Sequence, residues 1–249
     1  MDRVAFSIFG IDIMWYGILI ASGILLAVLV SSKEASRLGY KEGQVTDICL
    51  FAVPLGIVGA RLYYVAFNWS QYAGDFREII NIRGGGLAIH GGILAGIFTV
   101  WIYTRIKKLE FFKTADILVL GLPMAQAIGR WGNFINGEAH GGPTNLPWAI
   151  LVDGQRVHPT FLYESVWDWL IFIYIFMIRK NKKYEGQLLV DYIFLYSLGR
   201  FFIEGLRTDS LMLGPIRMAQ LISLVGILAA LVVRYFLLKR KALEKETRK

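Results

Sequence analysis

Cysteine is almost missing from this chain. Cys49 stands alone among 249 residues, so neither an internal disulfide nor a thiolate metal cluster can form. Such a lone cysteine in an apolar run reads as a small buried hydrophobe. The short motifs of several common chemistries are absent too: there is no P-loop, no HExxH and no GxSxG nucleophile elbow. The only histidines are His90, His140 and His158, and with Glu138 they match no recognised metal-ligand spacing. Neither a metal nor another cofactor is expected. No low-complexity tract or linker composition divides the chain, which predicts a single domain over residues 1–249.

What is abundant is apolar sequence. Hydrophobic residues make up 55% of the chain and the mean hydropathy is +0.50. Soluble domains sit nearer 45–50%, so a membrane protein is the first expectation. Seven apolar runs recur, at 13–30, 48–67, 85–103, 117–135, 161–178, 188–203 and 216–238. Each approaches the ~20 residues that span ~30 Å of hydrocarbon. They predict an all-α, polytopic membrane protein of about seven transmembrane helices, the fourth and sixth weakly hydrophobic. A cleaved signal peptide is not expected, because the first run is long for one, follows Asp2 and Asp12, and precedes no small-x-small site.

Lysine is excluded from these runs. All twelve lysines lie in "SSKEASRLGYKE", "RIKKLEFFK", "RKNKKYEG" and the tail "KRKALEKETRK", which alternate regularly between runs. Basic links mark the cytoplasmic side, which places the N-terminus outside and the C-terminus in the cytoplasm. The longest remaining links, roughly 68–84 and 136–160, become elaborated outer loops. The same topological charge accounts for most of the net +8 and the pI near 9.5 without any nucleic-acid partner.

Arginine behaves differently. Arg61, Arg130 and Arg200 fall inside runs, each after a small residue and before aromatics: "GARLYY", "GRWGNF" and "GRFFIE". At 1.5 Å per residue, each sits roughly 20 Å from the cytoplasmic end of its run. A charge in hydrocarbon costs at least ~2.5–3.5 kcal/mol, so it faces a bundle interior or wet cavity. Guanidinium suits bidentate binding of phosphate or carboxylate. An anionic ligand at headgroup depth is one reading; structural pairing, such as Arg200 with Glu204 one turn on, is the other. Arg207 extends the Arg200–Glu204 face at i+7. Arg83 and Arg156 read as solvated loop residues, and Arg217 as a headgroup contact at the start of the last helix.

Other polar groups cluster in short segments. "RGGGLAIHGG" sets His90 in the third helix among five glycines, which either let helices approach closely or admit a substrate to a buried general base. "HPTFLYE" reads as a helix start at Pro159, capped by His158 or Thr160, with Tyr163 and Glu164 about one turn inside. These two and Tyr16 are either interfacial polar groups or site residues. From residues alone, a transporter or binder of an anionic lipid or metabolite remains open beside an enzyme.

The segments "GGGLAIHGG", "GRWGNFINGEAHGG", "HPTFLYE" and "GRFFIEGLRTD", in this order and with Tyr16 and "GARLYY", resemble the bacterial prolipoprotein diacylglyceryl transferases over nearly the whole chain. The family signature is met by Gly129, Arg130, Gly132, Asn133, Phe134, Asn136, Glu138 and Gly141. The resemblance implies transfer of a diacylglyceryl group from phosphatidylglycerol to the lipobox cysteine of a preprolipoprotein, with glycerol phosphate released. It implies a bacterial plasma-membrane location with the site in the outer half of the bilayer. It makes His90, Arg130 and Arg200 the expected catalytic residues. Tyr16, Asn133, Asn136, Glu138, Gly141, His158, Tyr163, Glu164, Glu204 and Arg207 are then expected around the phosphatidylglycerol headgroup.

Overall fold

Each apolar run becomes a helix, because backbone N–H and C=O groups in hydrocarbon must be satisfied within their own segment. In the computed structural model, which describes residues 2–82 and 84–246, strands β1 (Val4–Ile8) and β2 (Ile11–Met14) precede helix α1 (Trp15–Arg37). There follow α2 (Gln44–Phe67), the short α3 (Trp69–Tyr72) and α4 (Phe76–Ile80), α5 (Ile89–Lys107) and α6 (Phe111–Ile135). Strands β3 (Ile150–Val152) and β4 (Gln155–Val157) lead into α7 (Thr160–Ile178) and α8 (Gln187–Glu204), then β5 (Met212–Leu213), β6 (Ile216–Arg217) and α9 (Met218–Glu246). Arg83 lies outside the described residues.

Six of these helices, α1, α2, α5, α6, α7 and α9, are long and apolar enough to cross a membrane. The protein is a polytopic, all-α membrane protein. The strands are three separate antiparallel hairpins in the links between helices and before α1. Two of them turn on residue pairs with positive φ, Phe9–Gly10 and Asp153–Gly154. That is the type I′ geometry whose twist matches paired strands.

The chain divides into two compact units, Met1–Ser31 with Asp116–Lys249, and Ser32–Ala115. In the first, Val119 and Leu120 of α6, Ile171 and Ile175 of α7, and Leu188 and Tyr192 of α8 form a buried core. The α1 backbone lies close against α6: a β-carbon on Gly121 would come within 2.6 Å of Ala27. Asp116, almost wholly buried, ties the start of α8 to α6 by accepting from Gly186 N (2.8 Å), Leu189 N (3.0 Å) and Lys182 Nζ (3.0 Å). It satisfies orphan N–H groups at a helix start that has no side-chain cap of its own.

The second unit is built on α2 packed against α5. Gly59 and Gly91 meet backbone to backbone, where a β-carbon on Gly91 would fall 2.3 Å from Gly59 O. Small residues thus serve close helix approach. Only Gly91 and Gly92 of the five glycines belong to a helix, however. Gly84, Gly85 and Gly86 precede α5, the last two with φ of 86° and 69° that suit a loop.

Candidate functional site

The start of α7 is held down before it presents anything. Thr160 Oγ1 donates to Ala139 O (2.6 Å) and Phe161 N to the same carbonyl (3.2 Å). Neither His158 nor Thr160 caps the helix, contrary to expectation; Pro159 occupies the cap position without a side-chain bond. His158 Nδ1 instead meets the Tyr163 hydroxyl at 3.2 Å, and Trp148 Nε1 donates to that hydroxyl at 2.8 Å.

One turn in, Glu164 is buried, with 4% of its surface exposed. Arginines from three segments converge on it. Arg130 Nε lies 2.7 Å from Oε2, Arg200 Nη1 pairs with Oε1, and Arg207 Nη1 lies 3.4 Å from Oε1. Buried Glu204 forms a second node, with Arg200 Nη2 2.7 Å and Arg207 Nε 3.9 Å from its Oε2. The expected Arg200–Glu204 pair therefore exists, as one edge of a network. The ion-pair distances at Glu164 Oε2 and Glu204 Oε2 are short, yet neither oxygen receives an aligned hydrogen bond. Arg130 Nη2 reaches the Tyr196 hydroxyl at 3.4 Å.

Arg207 enters this network from beyond the helix. The end of α8 at Glu204 breaks the i, i+4, i+7 face expected through Arg207, and a turn carries the chain on. Arg207 grips Asp209 with Nε (2.9 Å) and Nη2 (2.5 Å). Burial opposes charge on Asp209, but these hydrogen bonds and the Arg207 charge outweigh it and hold its carboxyl below the usual range.

The glycine-rich end of the signature segment locks these pieces together. Gly141 N donates to His158 O (2.8 Å), Gly142 N to Leu206 O (2.9 Å), and Gly141 bridges to Arg207. A β-carbon on Gly141 would come within 2.7 Å of both His158 Cβ and Leu206 O. Only glycine fits where the segment after α6 threads between the starts of α7 and the Arg207 turn. Asn133 Nδ2 and Asn136 Nδ2 each donate to the Glu138 carboxylate, both at 3.5 Å, and so brace Glu138 rather than Arg130. Tyr16 lies over Gly132 on α6, two residues past Arg130.

His90 differs from expectation: it is exposed in the first turn of α5, near Tyr63 with ring centroids 6.1 Å apart. It belongs to the Ser32–Ala115 unit. Arg61, in the same unit, is 5% exposed and fully engaged there. It donates to the carbonyls of Glu78, Ile79 (2.9 Å), Gly85 (2.8 Å) and Gly86 (3.0 Å), and stacks over Tyr72. It anchors the loop after α2. Arg156 donates to Leu146 O (3.0 Å). Arg217, expected to meet headgroups alone, donates to Glu204 O and joins the start of α9 to the end of α8.

Sequence reading passed over Asp168, Tyr196, Trp167 and Asp209. With Arg130, Glu164, Arg200 and Ile203, the first three line a small pocket beside the arginine network. Asp168 was visible as the second acid within the run 161–178, one helical turn after Glu164. Trp167 explains the glycine before Arg200: a β-carbon on Gly199 would strike its indole at 2.1 Å.

Comparison with known proteins identifies the family. The family model described as prolipoprotein diacylglyceryl transferase matches residues 3–236. A phosphatidylglycerol–prolipoprotein diacylglyceryl transferase of Clostridioides difficile (strain 630) is 64% identical, over 96% of this chain and 97% of its own. The protein of that name from Finegoldia magna is 54% identical, over 94% and 95%. One from Bacillus cytotoxicus is 44% identical, over 97% and 93%. Matches of this identity cover more than nine-tenths of both chains, and the chain belongs to the prolipoprotein diacylglyceryl transferase family.

Proposed function

We propose that this protein transfers the diacylglyceryl group of phosphatidylglycerol to the cysteine thiol of a prolipoprotein lipobox, the first step of lipoprotein maturation. The observation that carries the reading to named atoms is the convergence of Arg130, Arg200 and Arg207 around buried Glu164. A guanidinium carries five N–H donors in a fixed fork, so arginines already held by one carboxylate retain donors for a phosphate. The location that goes with this is the bacterial plasma membrane, with the site toward its outer half, where a signal sequence presents its cysteine.

In the reaction the thiolate attacks the glyceryl carbon that bears the phosphate ester. The S–C bond forms, the C–O bond breaks, and the electron pair leaves on glycerol phosphate. Arg130 and Arg200 stabilise the charge that develops on the departing phosphate, which is where preorganised donors act most strongly. Glu164 and Glu204 fix the two forks, and Arg207 closes the far side. Asn133, Asn136 and Glu138 form the wall that continues from the last turn of α6. Tyr16, Gly141, His158 and Tyr163 hold its shape.

A thiol with an ordinary pKa near 8.5 must also lose its proton. Its acceptor is either His90 or the arginine–glutamate network. The variant His90→Gln separates them: a rate about a hundredfold lower assigns the proton to His90, and an unchanged rate assigns it to the network.

The test of the whole reading is direct transfer. Purified protein is mixed with phosphatidylglycerol and a synthetic lipobox peptide, and mass spectrometry looks for diacylglyceryl on the cysteine. The parent should transfer; Arg130→Ala should be inactive. Arg130→Lys, which keeps the charge and loses the fork, should fall by roughly 10²–10³. A fully active Arg130→Lys would remove the bidentate-phosphate argument. No transfer by folded parent protein would return the lipid-binding and transport readings.

A further inference from the structure

Asp168 is 2% exposed, and its Oδ2 has no hydrogen-bond partner. It lies one turn beyond Glu164 on the same face of α7, and lines the pocket with Arg130, Arg200, Tyr196, Trp167 and Ile203. Arg130 and Arg200 both act on its charge, but neither binds it. The two arginines spend their short contacts on Glu164 and Glu204 instead. A carboxylate oxygen is an acceptor only, and leaving one buried and unpaired is costly. What this pocket wants at that position is therefore an O–H or N–H donor, adjacent to a site for phosphate.

We propose that Asp168 is a specificity-determining residue that accepts a hydrogen bond from a hydroxyl of the lipid headgroup while the neighbouring arginines hold its phosphate. The proposal rests on the function given above and deepens it. Phosphatidylglycerol carries free hydroxyls on its terminal glycerol, whereas phosphatidylpropanol has the same phosphodiester and none. A site built to bind a hydroxyl rejects the ligand that lacks it, because its own polar group is then left unpaired. Bulk does not explain the pocket as well: Trp167 and Ile203 already supply apolar wall, and neither calls for a buried acid beside them.

The experiment measures transfer to the lipobox peptide from phosphatidylglycerol and from phosphatidylpropanol, in matched mixed micelles. The parent should favour phosphatidylglycerol by roughly ten- to a hundredfold, the value of one hydrogen bond to a charged group. In Asp168→Ala and Asp168→Leu, which remove the acceptor, that ratio should fall to about one, chiefly by loss of the rate with phosphatidylglycerol. The ratio is internal to each variant, so a lower yield of folded protein does not mimic it.

A parent that uses both lipids equally would overturn the proposal. So would either variant with the parent's ratio, or variants that are folded by thermal denaturation yet inactive with both lipids, since Asp168 would then serve the chemistry itself. A parent that transfers from neither lipid would instead sink the transferase reading, and the two failures are thereby told apart.

Discussion

Glu164 carries the argument at the scale of single residues. Its carboxylate is the shared partner of Arg130, Arg200 and Arg207. Removing one member of a buried ion network is far more costly than the network is worth in total, because it leaves uncompensated charge, at about 3–5 kcal/mol. In Glu164→Gln three cations face each other across an amide that neutralises none of them. The variant should unfold at a lower temperature in detergent and lose transfer by at least roughly a hundredfold, while Glu164→Asp should recover part of both. A Glu164→Gln protein with the parent's stability and rate would show that the arginines do not depend on this hub. The sequence announced the arginines readily, since a charge in an apolar run is conspicuous. It did not announce which acid they would share. Glu164 and Asp168 sit one turn apart in the same run, and only the packing of α7 on α6 and α8 distinguishes a hub from an unpaired acceptor. His90 erred in the other direction: its glycine-rich setting read as buried, yet it is exposed at the start of α5.

At the scale of elements, the glycines around the site are shape requirements rather than freedoms. Gly141 has no room for a methyl group between His158 and Leu206, and Gly199 none beside Trp167. In Gly141→Ala the segment after α6 must move away from the α7 start and the Arg207 turn. Because reacting groups misplaced by about 1 Å cost roughly a hundredfold in rate, transfer should fall tenfold or more while the apolar core of α6, α7 and α8 remains folded. A Gly141→Ala variant with the parent rate would mean that the clamp is dispensable. Helix positions were legible because seven apolar runs give seven long helices among the described residues, with ends up to eight residues from those expected. The hairpins were not recognised, although Asp153–Gly154 is a strong hairpin-turn signal. Inside an apolar chain, two three-residue strands are too short to compete with the helical pattern. The position of Arg207 failed for a related reason: the i, i+4, i+7 spacing continued past a helix that ends at Glu204.

At the scale of the whole molecule, the open question is how many times the chain crosses the bilayer. Six helices satisfy length and hydropathy, and α8 carries Asp191, Arg200 and Glu204. Yet a count of charges overstates the cost of α8 in hydrocarbon. Arg200 pairs with both Glu204 and Glu164, and Asp191 accepts from Tyr174 and Gln187, each at 3.3 Å. Charges satisfied inside a bundle are the kind that transmembrane helices tolerate. The lysine pattern gives independent support. If α8 crosses, every lysine-rich link and the tail fall on one side; if it does not, the tail lands opposite the link that holds Lys180, Lys182 and Lys183. The positive-inside bias favours the first arrangement. The chain therefore should span seven times, with its N-terminus outside. Single cysteines in a Cys49→Ala background test this with a membrane-impermeant thiol reagent on intact cells. Gln155→Cys and Pro215→Cys, both exposed in hairpins, should react from outside. Glu42→Cys and Asn181→Cys, exposed in the lysine-rich links, should react only after the cells are opened. If Asn181→Cys and Pro215→Cys were to label from the same side, α8 would not cross. Arg200 would then approach Glu164 by re-entering the bundle, and its depth in the bilayer would have to be derived anew.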